Sequence, residues 1–187
     1  SKGIDCSGGS NTSNLGFFNC SIEAITIGTT GKVGIGTTSP SEALTVAGNI
    51  SASGGLSATN ITGGVNSTNT GTTSFIGGGK DNTASGYRTA VLGGCSNTSS
   101  GNFGAVITGQ GNKACGFGSV VVAGGYNYNY GLRGNTASGT KSIVLQGGGY
   151  VGGNNAGGGY SLIGNGVNNL SPGGYSLIVN GYGNATN

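Results

Sequence analysis

The chain has 187 residues, of which 45 are glycine and only 6% are charged, and its formal net charge is +3. Disordered chains combine high net charge with few apolar residues, whereas 34% of this chain is apolar. Collagen needs glycine at every third position and abundant proline, and this chain has two prolines. The apolar runs are far shorter than the roughly 20 residues that cross a bilayer, and the cations form no stripe for nucleic acid. We therefore expect a glycine-punctuated β-protein with neither membrane insertion nor nucleic-acid binding.

Residues 1–24 form the first predicted segment, an irregular or β-structured join. Apart from the pair Phe17-Phe18, the segment is rich in residues typical of turns. Cys6 and Cys20 flank a polar loop and could pair. For Cys95 and Cys115 we favour free thiols, because they occupy different positions of the repeat described below.

Residues 25–59 form the second predicted segment. Residues 32–55 read KVGIGTTSPSEALTVAGNISASGG. This stretch resembles the connector motif VGIGTT-x-P-x-x-x-L-x-V-x-GNI of phage tail fibres. The resemblance implies that the segment is part of a fibre shaft.

A fifteen-residue repeat occupies residues 60–187. Glycine recurs at Gly71, Gly86, Gly101, Gly116 and Gly131, and asparagine recurs at Asn82, Asn97, Asn112 and Asn127, then at Asn154, Asn169 and Asn184. The consensus is aliphatic–aliphatic–x–Gly–Gly–x–x–Asn–x–Ala–Ser–Gly–x–aromatic–Ser. Two insertions, near 127–134 and 150–155, interrupt the count, and insertions into a solenoid form loops on one face.

The period predicts an all-β fold, a repetitive β-solenoid of about 15-residue rungs with two strands each. We expect strands of about five residues, with glycine and asparagine supplying left-handed turn conformations and glycine also allowing neighbouring rungs to approach closely. Each rung offers few aliphatic side chains, so one chain is not expected to bury its own aliphatic residues. An intertwined or side-by-side homotrimer, with the aliphatic residues on the shared axis, would bury them.

The repeat carries a second resemblance. SFIGGGKDNTASGYRTAVLGG (74–94) and the units after it are similar to the head repeats of trimeric adhesins, the left-handed β-roll class, and to repeats in fibres of tailed bacteriophages and algal viruses. The resemblance implies a homotrimeric virion appendage, such as a tail fibre, that contacts other fibre or virion proteins and a host-surface glycan or protein. A bacterial trimeric adhesin head is an alternative, which would need a membrane anchor that these residues do not contain. A self-assembling extracellular filament is another.

Catalysis is not expected. The chain has no histidine, and its four acidic residues, Asp5, Glu23, Glu42 and Asp81, are far apart in sequence. The cysteines lack the paired Cys-x-x-Cys spacing of zinc sites, and calcium-binding Asp repeats and a phosphate-binding Gly-Lys-Ser/Thr ending are missing. We therefore predict a protein that is not an enzyme and has neither a metal nor a cofactor.

The candidate binding residues are aromatic. Tyr126, Tyr128 and Tyr130 alternate with asparagines in the larger insertion and are followed by Arg133. Tyrosine and asparagine favour contact surfaces, so these residues predict a receptor-binding loop, although the alternation also fits a strand with one buried face. The remaining repeat aromatics, Tyr87, Phe103, Phe117, Tyr160 and Tyr175, follow a turn glycine by one or two residues, and we expect them to pack at an edge or between chains.

Overall fold

The computed structural model of the chain describes residues 3–5, 15–19, 22–48, 50, 58, 60–125, 134–148 and 152–186. It contains two compact units, Ser1–Leu56 and Ser57–Asn187. Within the described residues all regular elements are β-strands, and none of these residues belongs to a helix that could cross a membrane. The all-β prediction is therefore confirmed.

The first unit is a five-stranded sheet in chain order. Its strands are β1 (Gly3–Asp5), β2 (Leu15–Asn19), β3 (Ile22–Ile27), β4 (Val33–Ile35) and β5 (Leu44–Val46). The first four pair antiparallel, and β4 and β5 pair in parallel. The connector motif thus forms two neighbouring strands. Gly34 is required there, because a Cβ at this position would lie less than 3.0 Å from the carbonyl oxygen of Thr37.

The second unit is a β-solenoid built from two parallel sheets. Sheet 1 contains β6 (Ile61–Thr62), β8 (Phe75–Ile76), β10 (Ala90–Val91), β12 (Ala105–Val106), β14 (Val120–Val121), β16 (Ile143–Val144), β18 (Leu162–Ile163) and β20 (Leu177–Ile178). Sheet 2 contains β7 (Thr68–Asn69), β9 (Thr83–Ala84), β11 (Thr98–Ser99), β13 (Lys113–Ala114), β15 (Thr136–Ala137), β17 (Asn155–Ala156) and β19 (Leu170–Ser171). The coil makes about eight turns of about 15 residues, as the period predicts.

The register is one repeat per rung. Val91 pairs with Val106, and Thr98 pairs with Lys113. The strands have two residues rather than the expected five, because residues with positive φ interrupt the extended backbone at both turns of each coil. Backbone hydrogen bonds to the neighbouring rung continue through those turns. For example, the N–H of Phe103, at φ +58°, donates to the carbonyl of Tyr87 at 2.8 Å.

The hydrophobic core lies between the two sheets of a single chain. Sheet 1 turns one column of aliphatic side chains inward: Ile76, Val91, Val106, Val121, Val144, Ile163 and Ile178. Sheet 2 opposes it with a column of small side chains: Ala84, Ser99, Ala114, Ala137, Ala156 and Ser171. The aliphatic residues are between 0% and 5% exposed. The expectation that one chain could not cover this column is wrong, because small residues opposite it let the sheets close together.

A column of buried asparagines runs beside the core. The backbone N–H of Asn112 donates to Oδ1 of Asn97 at 2.9 Å, and Nδ2 of Asn112 donates to the carbonyls of Thr108 and Gly124 at 2.9 and 2.8 Å. Oδ1 of Asn112 then accepts from the N–H of Asn135 at 2.9 Å. The column comprises the buried Asn82, Asn97, Asn112, Asn135, Asn154 and Asn169 and ends at the exposed Asn184. None of these asparagines has the left-handed conformation expected from the sequence.

Two columns of glycine have different physical roles. Gly71, Gly86, Gly101 and Gly116 allow close approach, since a Cβ on any of them would lie less than 3.0 Å from the backbone of the next rung. Their φ values are not in the left-handed region. A separate column, exemplified by Gly109 at φ +104°, supplies the left-handed turn. The sequence-predicted Gly131 and Asn127 lie outside the described residues, and Asn135 holds the ladder position that follows Asn112.

Candidate functional site

The outer faces of the two sheets differ in polarity. Sheet 1 presents one wholly apolar column and, beside it, a column of aliphatic residues and glycines. We call these the apolar face: Ile61, Phe75, Ala90, Ala105, Val120, Ile143, Leu162 and Leu177, with Leu92, Ile107, Val122, Leu145 and Val179. Sheet 2 presents mainly hydroxyl and other polar side chains: Thr68, Thr83, Thr98, Lys113, Thr136 and Asn155, with Ser85, Ser100, Cys115 and Ser138. The last rung is the exception, with Leu170, 42% exposed, and Pro172 in these columns.

The apolar face is open to solvent in the single chain. Leu92 is 48% exposed, Leu145 is 43% exposed and Val179 is 70% exposed. Eight strands about 4.8 Å apart, each three residues wide, give a surface of about 350 Å² in projection. This area lies within the range of the largest apolar patch on a typical soluble monomer, and such patches are often functional. The polar face of sheet 2 has the composition of a surface that stays in water.

A second exposed feature lies where each sheet-2 strand turns back into sheet 1. Over six successive turns, this corner presents an aromatic or cationic side chain. We call it the aromatic strip: Tyr87, Arg88, Phe103, Phe117, Lys141, Tyr160 and Tyr175. The rings were expected to pack at an edge, and they do contact one another along the solenoid.

Neighbouring rings of the strip contact one another at about the spacing of the rungs. The centroids of Tyr87 and Phe103 are 5.5 Å apart, and those of Phe103 and Phe117 are 5.3 Å apart, both edge to face. Tyr160 and Tyr175 stack in parallel at 5.0 Å. Such pairs stabilise by about 0.5–1.5 kcal/mol each. The rings nevertheless remain exposed on the side that faces away from the coil.

The strip occupies a strained backbone position. Arg88, Phe103, Lys141, Tyr160 and Tyr175 have φ between +52° and +59°. A left-handed conformation costs a residue with a Cβ about 1–2 kcal/mol, and it is unusual for bulky side chains. At the same position of another rung stands Gly118, at φ +63°. The turn therefore accepts glycine, and the aromatic and cationic residues are not dictated by the backbone.

Two cations belong to the strip. The guanidinium of Arg88 lies 4.9 Å from the centroid of Tyr87, and Nζ of Lys141 lies 5.3 Å from that of Tyr160. Within the described residues the one ion pair joins Lys80 and Asp81 at 4.0 Å, so neither strip cation has an acidic partner there. No acidic residue follows Asp81 in the sequence. The electrostatic potential along the strip is therefore positive.

The predicted receptor-binding residues Tyr126, Tyr128, Tyr130 and Arg133 lie outside the described residues. The structure places the two ends of their segment side by side. A Cβ on Gly125 would lie 3.0 Å from Cα of Gly134. The second insertion leaves the coil at the same turn of the next rung. A Cβ on Gly134 would lie less than 3.0 Å from the backbone of Gly111, and a Cβ on Gly153 would lie less than 3.0 Å from the backbone of Gly134, so Gly134 and Gly153 hold equivalent positions. This turn, the insertion turn, leads from sheet 1 into sheet 2 and is the other turn of the coil from the aromatic strip.

The described residues offer little reactive chemistry. No group of three or more His, Cys, Asp or Glu side chains that could hold a metal ion occurs among them. Cys95 and Cys115 are free thiols; Cys95 lies at the insertion turn and Cys115 on the outer face of sheet 2. The main exposed features of the described solenoid are the apolar face and the aromatic strip.

Comparisons with protein-family models, with curated proteins and with solved structures find no match to this chain. The class of the protein is thus defined by its own geometry. The parallel sheets, the one-repeat register and the asparagine column make it a β-solenoid, a fold consistent with a structural repeat protein.

Proposed function

We propose that this chain is a non-enzymatic structural and adhesive fibre component. In this proposal it forms a homotrimer through the apolar face and belongs to a bacteriophage or virus appendage, such as a tail fibre, exposed at an extracellular surface. The appendage attaches to a glycan or protein on the host surface and joins other fibre or virion proteins. The observation that carries the assembly is the contrast between the aliphatic outer face of sheet 1 and the Thr/Ser outer face of sheet 2.

Assembly through the apolar face follows from the hydrophobic effect. Removing apolar area from water contributes about 25 cal/mol per Å², and the apolar face runs through every rung of sheet 1. The aliphatic column inside the coil is already covered, so association depends on the residues on the other side of the same strands. Three chains around an axis would bring three such faces together, which suits a stiff fibre.

The fibre and virion assignment is supported by the connector motif in 32–55 and by the repeat. The same features suit a bacterial trimeric adhesin head, which a membrane anchor elsewhere in its gene would reveal. A self-assembling extracellular filament, in which solenoid ends pair edge to edge, is a further alternative.

Light scattering over a concentration series tests the assembly. We expect a mass of three chains for the unmodified protein and a single-chain mass for Leu145→Lys, which places a charge on the apolar face. The matched control is Thr83→Lys on the outer face of sheet 2, where Lys113 already occupies the same column; this variant should keep the mass of the unmodified protein.

Three outcomes would contradict the proposal. A folded single chain at all concentrations would remove the trimer, and a mass that climbs with concentration would replace it by the filament. A mass of two chains would also overturn it, since face-to-face pairing covers the same surface without an axis of three.

A further inference from the structure

We propose that the aromatic strip is a binding site for a linear acidic polysaccharide. This names a ligand class for the attachment role proposed above and rests on that role. The strip lies at the other turn of the coil from Gly125 and Gly134, which flank the predicted loop at 126–133. The argument uses ring geometry, residue choice and charge.

The ring geometry suits a chain of sugars. Ring centroids are 5.0–5.5 Å apart within two groups, Tyr87–Phe103–Phe117 and Tyr160–Tyr175, which are separated by the rung of Lys141. This spacing is comparable to the length of one pyranose ring in an extended polysaccharide. Aromatic rings pack well against apolar surfaces such as the C–H faces of sugars. The strip follows the solenoid axis over six turns, a length of about 24 Å at about 4.8 Å per rung. A linear ligand could therefore contact several rings at once.

The choice of residues is the second argument. The solenoid has another column of left-handed residues at the insertion turn: Asn66, Asp81, Ser96, Gly111, Asn168 and Gly183. These are small or polar residues of the kind that suit this conformation. The corresponding column at the turn of the strip contains Thr73 and Gly118 in two rungs and Arg88, Phe103, Lys141, Tyr160 and Tyr175 in the other five. Strained residues with large side chains cluster at functional sites.

Charge narrows the ligand to an acidic one. Arg88 and Lys141 lie over ring faces and have no acidic partner among the described residues. Carboxylate or sulfate groups on a polysaccharide would supply that partner. A linear polyuronate joins such carboxylates to sugar rings whose C–H faces can pack on the aromatic strip. A nucleic acid also carries a negative charge on every unit, and the experiment below separates it from the polyuronate.

Affinity electrophoresis of the full chain through gels containing alginate measures this binding, with dextran as the neutral probe. We expect alginate to retard the unmodified chain and dextran to retard it much less. The variant Phe103→Gly/Tyr160→Gly removes two rings at positions where glycine suits the backbone, and it should weaken alginate binding at least about tenfold. Arg88→Gln/Lys141→Gln should weaken it similarly, and added salt should weaken binding by the unmodified chain.

The matched control is Tyr182→Ser, which removes an exposed tyrosine outside the strip and should leave binding unchanged. Equal retardation by dextran, unchanged binding by the glycine variant, or stronger binding to polyadenylate than to alginate would each overturn the inference. So would a loss of oligomer mass in the glycine variant, since the rings would then be a contact between chains. Alginate binding by a single-chain protein would refute the trimer while leaving this site intact.

Discussion

At the scale of residues, the asparagine column supplies hydrogen-bond partners to backbone groups in successive rungs. Each buried side chain accepts an N–H from the next rung and donates to carbonyls of two turns. Turn carbonyls that point into the coil cannot reach water, and an unpaired buried polar group is costly. The repeat therefore needs a side chain that carries both an acceptor and two donors, and asparagine is the smallest that does.

This role predicts a large effect for Asn112→Ala. The substitution leaves the carbonyl of Thr108 and the N–H of Asn135 without their partners, so we expect the free energy of unfolding to fall by about 3 kcal/mol. Chemical denaturation would measure it. The control is Asn155→Ala, an exposed asparagine in a column where other rungs have threonine, which should change stability by less than about 0.5 kcal/mol. Equal losses in the two variants would contradict the ladder role.

At the scale of elements, each strand of sheet 1 from Phe75–Ile76 onward is apolar on both sides but is buried within the chain on one side only. In the triplet Val120-Val121-Val122, Val121 is 0% exposed and its neighbours face outward. Packing of Val121 against the small column of sheet 2 stabilises the coil itself. Packing of the outward valines depends on whatever covers the apolar face.

The two sides of the strand can be separated by Val121→Ala and Val122→Ala. The first removes two buried methyl groups, and we expect a loss of about 2 kcal/mol in the free energy of unfolding at every protein concentration. The second should lower this free energy within a chain by about 0.5 kcal/mol or less. Thermal or chemical denaturation at low concentration provides the comparison. A larger loss for Val122→Ala there would show that the inward and outward sides have been assigned wrongly.

At the scale of the whole molecule, the rung hydrogen bonds continue across an insertion. Asn112 and Asn135 are bonded although they are 23 residues apart, and Asn135 and Asn154 are bonded although they are 19 apart; the other neighbours in the column are 15 apart. The eight additional residues correspond to 126–133, whose flanking glycines lie side by side. The solenoid therefore does not depend on this segment for its register.

Deletion of 126–133, which joins Gly125 to Gly134, should leave the fold and the melting temperature nearly unchanged, because shortening a loop alters its closure entropy by less than about 1 kcal/mol. Circular dichroism and thermal melting test this. If Tyr126, Tyr128, Tyr130 and Arg133 form the receptor-binding loop, the deletion should also abolish adsorption to cells that bind the unmodified chain. A variant with eight Gly/Ser residues in their place separates loop length from side chains. Retained adsorption would contradict the receptor role, and failure to fold would contradict the continuous ladder.

Much of the fold could be predicted from the fifteen-residue spacing. Glycines and asparagines in register require equivalent positions in successive rungs, which predicts a coil. The strand length could not be predicted, because Phe103 and Tyr160 carry no propensity for the left-handed conformation that interrupts the extended backbone. Arg88 and Lys141 were missed as surface partners of the rings. Their one available signal was the position they share with Phe103 and Tyr160 in the repeat.

The sequence by itself determined the period, the all-β class and the positions of both insertions, since all three follow from residue spacing along the chain. Only the tertiary structure decided which aliphatic side chains close the core and which remain outside. A triplet such as Ala90-Val91-Leu92 is apolar throughout, so alternation does not mark its inner face. The small column of sheet 2 decides it, because Ala84 and Ser99 leave room for one aliphatic column and not for two. Because only the middle residue of each triplet faces inward, its neighbours form the apolar face, which is free to contact another chain.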